Sequence, residues 1–124
     1  MERYTDLKVW QKAMALTDGV YAATVAFPRH ETFGLASQRQ RAAVSIPSNI
    51  AEGWGRGRSK EYVQFLHYAC GSLYEVETQL RIAERRGYVD ADTVSPLLAA
   101  TTEISKMLSG LMRALGGGRL IPHS

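Results

Sequence analysis

The sequence contains a single cysteine, Cys70, and only three histidines among its 124 residues. One cysteine cannot form an intramolecular disulfide, and its isolation is typical of a reducing compartment. No run of about 18 apolar residues is present, which excludes a transmembrane helix. The opening residues MERYTDLKVW lack the apolar segment of a signal peptide. We therefore expect a cytoplasmic protein that has no membrane partner.

Motifs for metal binding and catalysis are also missing. His67 and Cys70 have the spacing of two helical ligands, but zinc needs three or four, and His30 and His123 lie in other segments. Glu-x-x-His pairs of a di-iron bundle and the G-x-S-x-G nucleophile motif are absent. The sequence therefore predicts no metal site, no cofactor and no enzymatic activity.

Alternation of apolar and polar residues, the pattern of a β-strand, is missing as well, and apolar residues recur instead at three and four residues in four segments. These segments cover about residues 7–26, 32–54, 59–86 and 94–115. Short connections between long helices favour antiparallel neighbours, so the predicted fold is an all-α, up-down-up-down four-helix bundle. We expect residues 1–115 to form this domain and residues 116–124 to form a flexible, glycine-rich tail.

The first and third segments differ in how clearly they mark a buried face. In the third, one stripe at 4-3-4-3 spacing predicts the core: Tyr62, Leu66, Ala69, Leu73, Val76, Leu80 and Ala83. In the first, the predicted stripe is Leu7, Trp10, Met14, Thr17, Tyr21 and Thr24, widened by Ala13 and Val20. Further apolar residues lie off the main stripe in the first segment (Val9, Leu16 and Val25), in the third (Val63, Phe65 and Tyr68) and in the fourth (Leu98, Met107 and Met112). A bundle buries one stripe per helix, so such second-face residues predict self-association.

The second segment contains a proline and leads into a glycine-rich corner, SIPSNIAEGWGRG, from Ser45 to Gly57. Pro47 removes a backbone donor and crowds the carbonyl of Ala43, so we expect a kink near Ala43 to Ser45 or a break with Ser45 capping a new turn. In GWGRGRSK, Gly53 to Lys60, the glycines allow a turn, and the cations beside a helix start can hold an anion. The two interpretations are compatible.

Positive charge is concentrated around this corner, although the whole chain carries a net charge of only +3 and a pI near 9.2. Glu52 is the one acid between residues 39 and 60, and it precedes Arg56 by four residues, the favourable order for a helical ion pair. This run of cations is either a solvated face or a patch that neutralises phosphates. Trp54 beside it can stack on a base or pack against another subunit. The candidate nucleic-acid-binding residues are Arg39, Arg41, Arg56, Arg58 and Lys60.

Three stretches resemble a known bacterial family: DLKVWQKAM from Asp6, FPRHETFGLASQRQRAAVSIPSNIAEGWGR from Phe27, and EYVQFLHYACGSLYEVETQLRIA from Glu61. The family is that of the four-helix-bundle proteins encoded in 23S rRNA intervening sequences. It includes the accessory variability determinant of diversity-generating retroelements. The resemblance implies a ring-shaped homopentamer with a basic surface, and its retroelement relatives are thought to bind nucleic acid and a reverse transcriptase.

Residues and resemblance together support two hypotheses. In the first, the protein is a non-enzymatic oligomeric scaffold that binds RNA or DNA through sequence-non-specific phosphate contacts. In the second, it is a protein-interaction module that docks a protein partner, such as a reverse transcriptase, and has no nucleic-acid role.

Overall fold

The computed structural model describes residues 3–31 and 34–116 and contains four α-helices. They are α1 (Lys8–Thr24), α2 (Leu35–Gly55), α3 (Ser59–Arg85) and α4 (Ala91–Ala114), with short 3₁₀ turns at Tyr4–Asp6 and Arg29–Glu31. No strand occurs within these ranges, which confirms the all-α prediction. Of the predicted flexible tail, all but Gly116 lies outside the described residues.

The four helices contact one another in a closed cycle, as in a four-helix bundle: α1 packs on α2, α2 on α3, α3 on α4, and α4 on α1. Individual contacts fix the pairing. Ser45 of α2 meets Ser72 of α3 at 2.7 Å, and the 3.5 Å ion pair between Lys12 and Glu103 joins α1 to α4. None of the helices in the described ranges is both long and apolar enough to cross a membrane.

Helix α3 supplies the longest continuous part of the core. All seven residues of its predicted stripe are buried, which confirms the prediction. The helix has 27 residues and is therefore about 40 Å long. Gly87, at φ +77°, ends it: the N–H of Gly87 donates to the carbonyl of Glu84, and that of Tyr88 donates to the carbonyl of Ala83. This is a Schellman cap.

Helix α1 buries only part of its predicted face. Ala13, Val20 and Thr24 are buried as predicted, but Met14 and Tyr21 are 40% and 45% exposed, so the prediction is wrong for these two residues. The prediction that Val9 and Leu16 lie on a second, exposed face is also wrong, because both are buried. The buried residues are Val9, Ala13, Leu16, Val20, Ala23 and Thr24. Both stripes are apolar, but the buried one carries alanines, which allow close packing between helices, whereas the larger Trp10 and Tyr21 are amphipathic and tolerate partial exposure.

Helix α2 continues through Pro47 without interruption, so the predicted break with Ser45 as a new cap is wrong. Pro47 leaves the carbonyl of Ala43 without its usual helical donor. The hydroxyl of Thr17 on α1 lies 3.3 Å from this carbonyl oxygen and 2.9 Å from that of Ala13, so its single hydrogen serves either acceptor. A partner outside the helix thus compensates for the proline.

Helix α4 begins earlier than the sequence predicts. Its cap is Asp90, whose carboxylate accepts a 2.9 Å hydrogen bond from the N–H of Thr93. The sequence offers Asp92, Thr93 or Ser95 as the cap and favours the later of these, because proline is best tolerated in the first helical turn. Pro96 instead lies in the second turn, so the favourable Asp90 cap outweighs one missing backbone hydrogen bond.

Candidate nucleic-acid interface

The corner between α2 and α3 consists of three residues, Arg56, Gly57 and Arg58. Gly57 has φ +75°, a conformation that side chains disfavour, and Arg58 is extended at φ −125°, ψ 135°. The chain therefore enters α3 at Ser59, and Ser59, a residue type that the sequence would favour as the N-cap, is instead the first helical residue. The cap position belongs to Arg58, which makes no side-chain capping bond.

Gly53 and Gly55 do not turn the chain, because both lie within α2. A Cβ at Gly53 would be 2.9 Å from Phe65 Cβ and 2.9 Å from Tyr62 Cδ1, closer than real contacts permit. A Cβ at Gly55 would meet nothing within 4 Å. Gly53 therefore brings the end of α2 against the start of α3, and only Gly57 supplies a turn.

Arg56 is held by its own protomer. Its guanidinium donates a 2.7 Å hydrogen bond to Glu52, the ion pair that the spacing predicted, and lies 4.7 Å from the centroid of the Phe65 ring. Both charged side chains are about half exposed, at 45% and 54%. Such an exposed pair is worth only about 0.3–0.5 kcal/mol, so a phosphate can compete for this arginine.

Arg58 and Lys60 differ from Arg56 in having no acid partner. Both are exposed, and neither forms a salt bridge with any residue in the described ranges. Arg58 directly precedes the first turn of α3, and Lys60 lies in that turn. The free N–H groups of the turn give this end of the helix a partial positive charge. Fixed positive charge and free donors at one exposed helix start favour an anion.

Other elements bring further charges to the same end of the bundle. A groove lined by Ser59, Lys60, Val63, Leu115 and Gly116 places the end of α4 beside the start of α3, and the Tyr4–Asp6 turn packs on α2. Within residues 3–8, 52–61 and 113–116, the acids are Asp6, Glu52 and Glu61. The cations there are Arg3, Lys8, Arg56, Arg58, Lys60 and Arg113. We refer to these three ranges as the corner end.

Trp54 is partly buried at the corner end and packs against the core. Its ring is edge-on to Tyr62, with centroids 6.4 Å apart and planes at 86°. Burial raises the pKa of Tyr62, whose hydroxyl has no hydrogen-bond partner within the described chain. The indole thus supports the helix contact at Gly53, and only part of it is open to a base or a neighbouring subunit.

Arg41 lies away from the corner. It precedes Arg56 by 15 residues, about 22 Å along a helix at 1.5 Å per residue. Its guanidinium donates a 2.8 Å hydrogen bond to Ser37 and borders a polar groove of about 430 Å³ between α2 and α3. The groove is also lined by Ser45, Ser72 and Glu75. Arg41 and the corner cations therefore do not form one patch.

Arg39 is not a surface residue, and its prediction as a phosphate contact is wrong for the folded protomer. Its side chain is 0% exposed and lies 5.0 Å from the centroid of the Phe27 ring. Arg39 is in phase with Ala43, Ile46 and Ile50, the buried stripe of α2. That 4-3-4 spacing is the sequence signal that would have placed it inside the bundle.

Burial of Arg39 without a counter-charge is energetically unfavourable. None of its three guanidinium nitrogens has a hydrogen-bond partner in the part of the chain that the structure describes. A desolvated cation–π contact is worth about 2 kcal/mol, whereas an unpaired buried charge costs several kcal/mol. Desolvation lowers the pKa of Arg39 to about 10, so the side chain stays charged at neutral pH.

The described residues contain no group of three or more potential metal ligands. Cys70 is buried, and desolvation raises the pKa of its thiol, which disfavours the reactive thiolate. His67, its neighbour on α3, is exposed. The arrangement with the most distinct chemistry at the surface is therefore the cationic corner.

Four helices in a closed cycle, joined between the second and third by a short cationic corner, define the chain as a small helical-bundle protein. Comparison with known proteins identifies the family of the chain. It belongs to the 23S rRNA-intervening sequence protein family, whose model matches residues 5–110.

A solved structure shares this fold: the 1.70 Å crystal structure of a protein with unknown function from the S23 ribosomal protein family of Bacteroides thetaiotaomicron. The similarity covers 84% of this chain and 97% of that one, with a TM-score of 0.75 and 22% sequence identity. At this identity the likeness establishes the fold alone. No curated protein matches the chain.

Proposed function

We propose that the protein is a non-enzymatic, oligomeric scaffold of the cytoplasm that binds RNA or DNA through sequence-non-specific phosphate contacts at the corner end. One observation carries the proposal: Arg58 and Lys60 are exposed beside the uncapped start of α3 and have no acid partner among the described residues. Cations and free N–H groups bind phosphates without distinguishing bases.

The candidate residues have unequal roles in this proposal. Arg58 and Lys60 are the primary contacts. Arg56 joins them when a phosphate replaces Glu52, a weak exposed partner. Arg41 reaches the same nucleic acid only along a strand that crosses the outer face of α2. Arg39 contributes nothing to this surface, because it is buried.

Self-association is part of the proposal and is supported by exposed apolar surface. Met14 and Tyr21 on α1 are 40% and 45% exposed, and Val25, just after the end of α1, is 84% exposed. Met14 also lines a 310 Å³ groove between α1 and α2, whose mostly apolar lining is Tyr4, Trp10, Met14, Thr17, Val44, Pro47, Ser48 and Ala51. Burial of this face in a homo-oligomer, a pentamer by family resemblance, would repeat the corner and strengthen weak phosphate contacts through multivalency.

The protomer in this proposal is an antiparallel bundle. The supporting contacts run in opposite order along neighbouring helices. From Ser45 to Gly53 on α2, the partner on α3 moves back from Ser72 to Phe65. From Thr17 to Thr24 on α1, the partner on α2 moves back from Ala43 to Gln40. The kink predicted near Ala43 to Ser45 remains a prediction.

A salt titration tests the binding proposal. Binding to an arbitrary single-stranded RNA and to DNA of the same length should be measured from about 50 to 200 mM salt. Each phosphate that the protein neutralises steepens the log–log slope by about 0.7 on single strands, so we expect a slope of about −1.5 to −2 per engaged corner. No binding near 50 mM salt, or a slope of zero, would reject the proposal.

The second candidate function is the docking of a protein partner, such as a reverse transcriptase, without a nucleic-acid role. Exposed Tyr68, Tyr74 and Ile82 on α3 favour it, because aromatic residues are enriched in protein interfaces. The combined substitution of Arg56, Arg58 and Lys60 by Glu separates the two functions. It should leave docking of the protein partner intact and abolish binding of nucleic acid.

A further inference from the structure

The bundle end opposite the corner contains a charge that the proposed function does not use. Arg39 is the largest fully buried side chain, and its Nε, Nη1 and Nη2 atoms all lack a hydrogen-bond partner within residues 3–31 and 34–116. Buried arginines are normally paired with an acid or an anionic ligand. The Phe27 ring is the one contact that offsets this charge among the aromatic and ionic contacts of the described chain.

The acid closest to Arg39 in the sequence, Glu31, is already engaged in other hydrogen bonds. Glu31 accepts a 2.8 Å hydrogen bond from the Tyr88 hydroxyl through Oε2 and a 3.2 Å bond from the N–H of Leu35 through Oε1. His30 lies 3.9 Å from the same carboxylate. Glu31 therefore joins its loop to the turn that follows α3 and to the start of α2, and it does not neutralise Arg39.

Phe27 also lines a groove of about 430 Å³. The lining includes the hydrogen-bonded pair Thr24 and Gln40, at 2.9 Å, and the exposed cation Arg29. None of the described residues that line the groove is an acid. Phe27 thus contacts both a polar, cation-rimmed groove and, 5.0 Å from its ring centroid, a buried guanidinium that lacks an acceptor in the described chain.

We propose that this end of the bundle binds a small oxyanion of the phosphate or carboxylate class, with Arg39 as its charge partner. The anion enters through the groove between Thr24, Gln40 and Arg29, and rotation of the Phe27 ring gives it access to the guanidinium. In this position the anion neutralises a charge that the protomer leaves unpaired, so binding stabilises the fold. The site is separate from the corner end.

Thermal unfolding in sodium phosphate and in sodium acetate, each against sodium chloride at equal ionic strength and pH, tests the site and separates the two oxyanions. A ligand that binds only the folded state raises Tm with its concentration. At about ten times the dissociation constant we expect a rise of roughly 5 °C for the unaltered protein. Arg39→Met should melt higher in chloride and should lose the response to the oxyanion.

Arg41→Met is the matched control, because it removes an exposed arginine two residues away on the same helix and should keep the full response. General salt effects on apolar burial act on all three proteins equally. An equal shift in the unaltered protein and Arg39→Met would overturn the proposal.

Calorimetric titration of the unaltered protein with phosphate and with acetate decides the question even if Arg39→Met fails to fold. Saturable binding of one oxyanion per chain, retained when Arg58 and Lys60 are both replaced by Glu, supports the site. Absence of saturable heat for both anions up to about 10 mM would overturn it, whatever the outcome for nucleic acid.

Discussion

Two arginines at opposite ends of α2 show how differently the same type of side chain behaves in two environments. Arg39, near the start of α2, and Arg56, just after its end, each lie over a phenyl ring, at 5.0 and 4.7 Å. Arg56 is 45% exposed and paired with Glu52 at 2.7 Å. Arg39 is 0% exposed and has no acceptor within the described residues.

The comparison shows that the ring contact alone does not determine what an arginine contributes. At Arg56, water solvates the charge, so losing either partner costs little. At Arg39, the ring is the main compensation for complete desolvation, and it is insufficient. In a run of cations, therefore, only the residues that fall outside the buried helical stripe can belong to a binding surface.

The largest expected effect is on stability. In chloride buffer, Arg39→Met should raise the free energy of unfolding by about 1–4 kcal/mol, because an apolar side chain of similar length replaces an unpaired buried charge. Arg56→Met should lower it by less than about 1 kcal/mol. Urea denaturation, with slopes compared between variants, measures both. A clear loss of stability in Arg39→Met would mean that Arg39 has a partner and that the contrast is false.

The second prediction concerns the corner itself. Gly53→Ala should lower stability by about 1–3 kcal/mol, because its Cβ would be 2.9 Å from Phe65 and Tyr62 and would push α3 away. Gly55→Ala, two residues on, is the matched control and should raise stability by about 0.5–1 kcal/mol through helix propensity. Similar effects of the two substitutions would show that the helices are not in close contact at Gly53.

The smallest expected effect tests whether Glu31 is the missing partner of Arg39. The Tyr88 hydroxyl, and then the N–H of Leu35, hold the pKa of Glu31 below its ordinary value of 4.5. A lowered folded-state pKa contributes stability that is present above the unfolded value and is lost as the pH falls through the folded value. Glu31→Gln should therefore flatten the loss of stability below about pH 4.5.

Glu84→Gln, which also replaces a carboxyl by an amide at an exposed residue near the end of α3, is the control for the loss of one negative charge. Asp90 contributes a residual slope in all three proteins, because hydrogen bonds from Thr93 lower the pKa of its carboxyl. If Glu31→Gln also removed the stability gain of Arg39→Met, the two residues would interact, contrary to the structure.

The sequence alone was sufficient to predict the buried face of a helix wherever one apolar spacing pattern dominated. Helix α3 has one apolar stripe with unbroken 4-3-4-3 spacing, so its buried face followed directly from that spacing. Helix α1 has two, and the choice depends on how closely the alanines Ala13 and Ala23 let neighbouring helices approach, which a single sequence does not encode. The continuity of α2 at Pro47 likewise depends on Thr17 from another helix.

The candidate site was only partly predictable, for related reasons. Arg58 and Lys60 follow a turn, and residues there are normally exposed. The Glu52–Arg56 pair followed from its spacing. The prediction for Arg39 is wrong because it gives the charge more weight than the phase with Ala43 and Ile46. The charge of a segment does not show that one of its arginines is buried. Burial is recognised only when the phase of the helix and its packing neighbours are considered.

Charge reversal at the two ends of the bundle tests the central claim most directly. Arg58→Glu with Lys60→Glu alters the corner, and Arg85→Glu with Arg86→Glu makes the same change in net charge at two exposed residues near the end of α3. In single-stranded RNA binding at about 50 mM salt, we expect the corner pair to weaken affinity at least about tenfold more than the α3 pair and to reduce the salt slope by about 1.4. Equal losses from the two pairs would show that only net charge matters and would contradict a phosphate site at the corner.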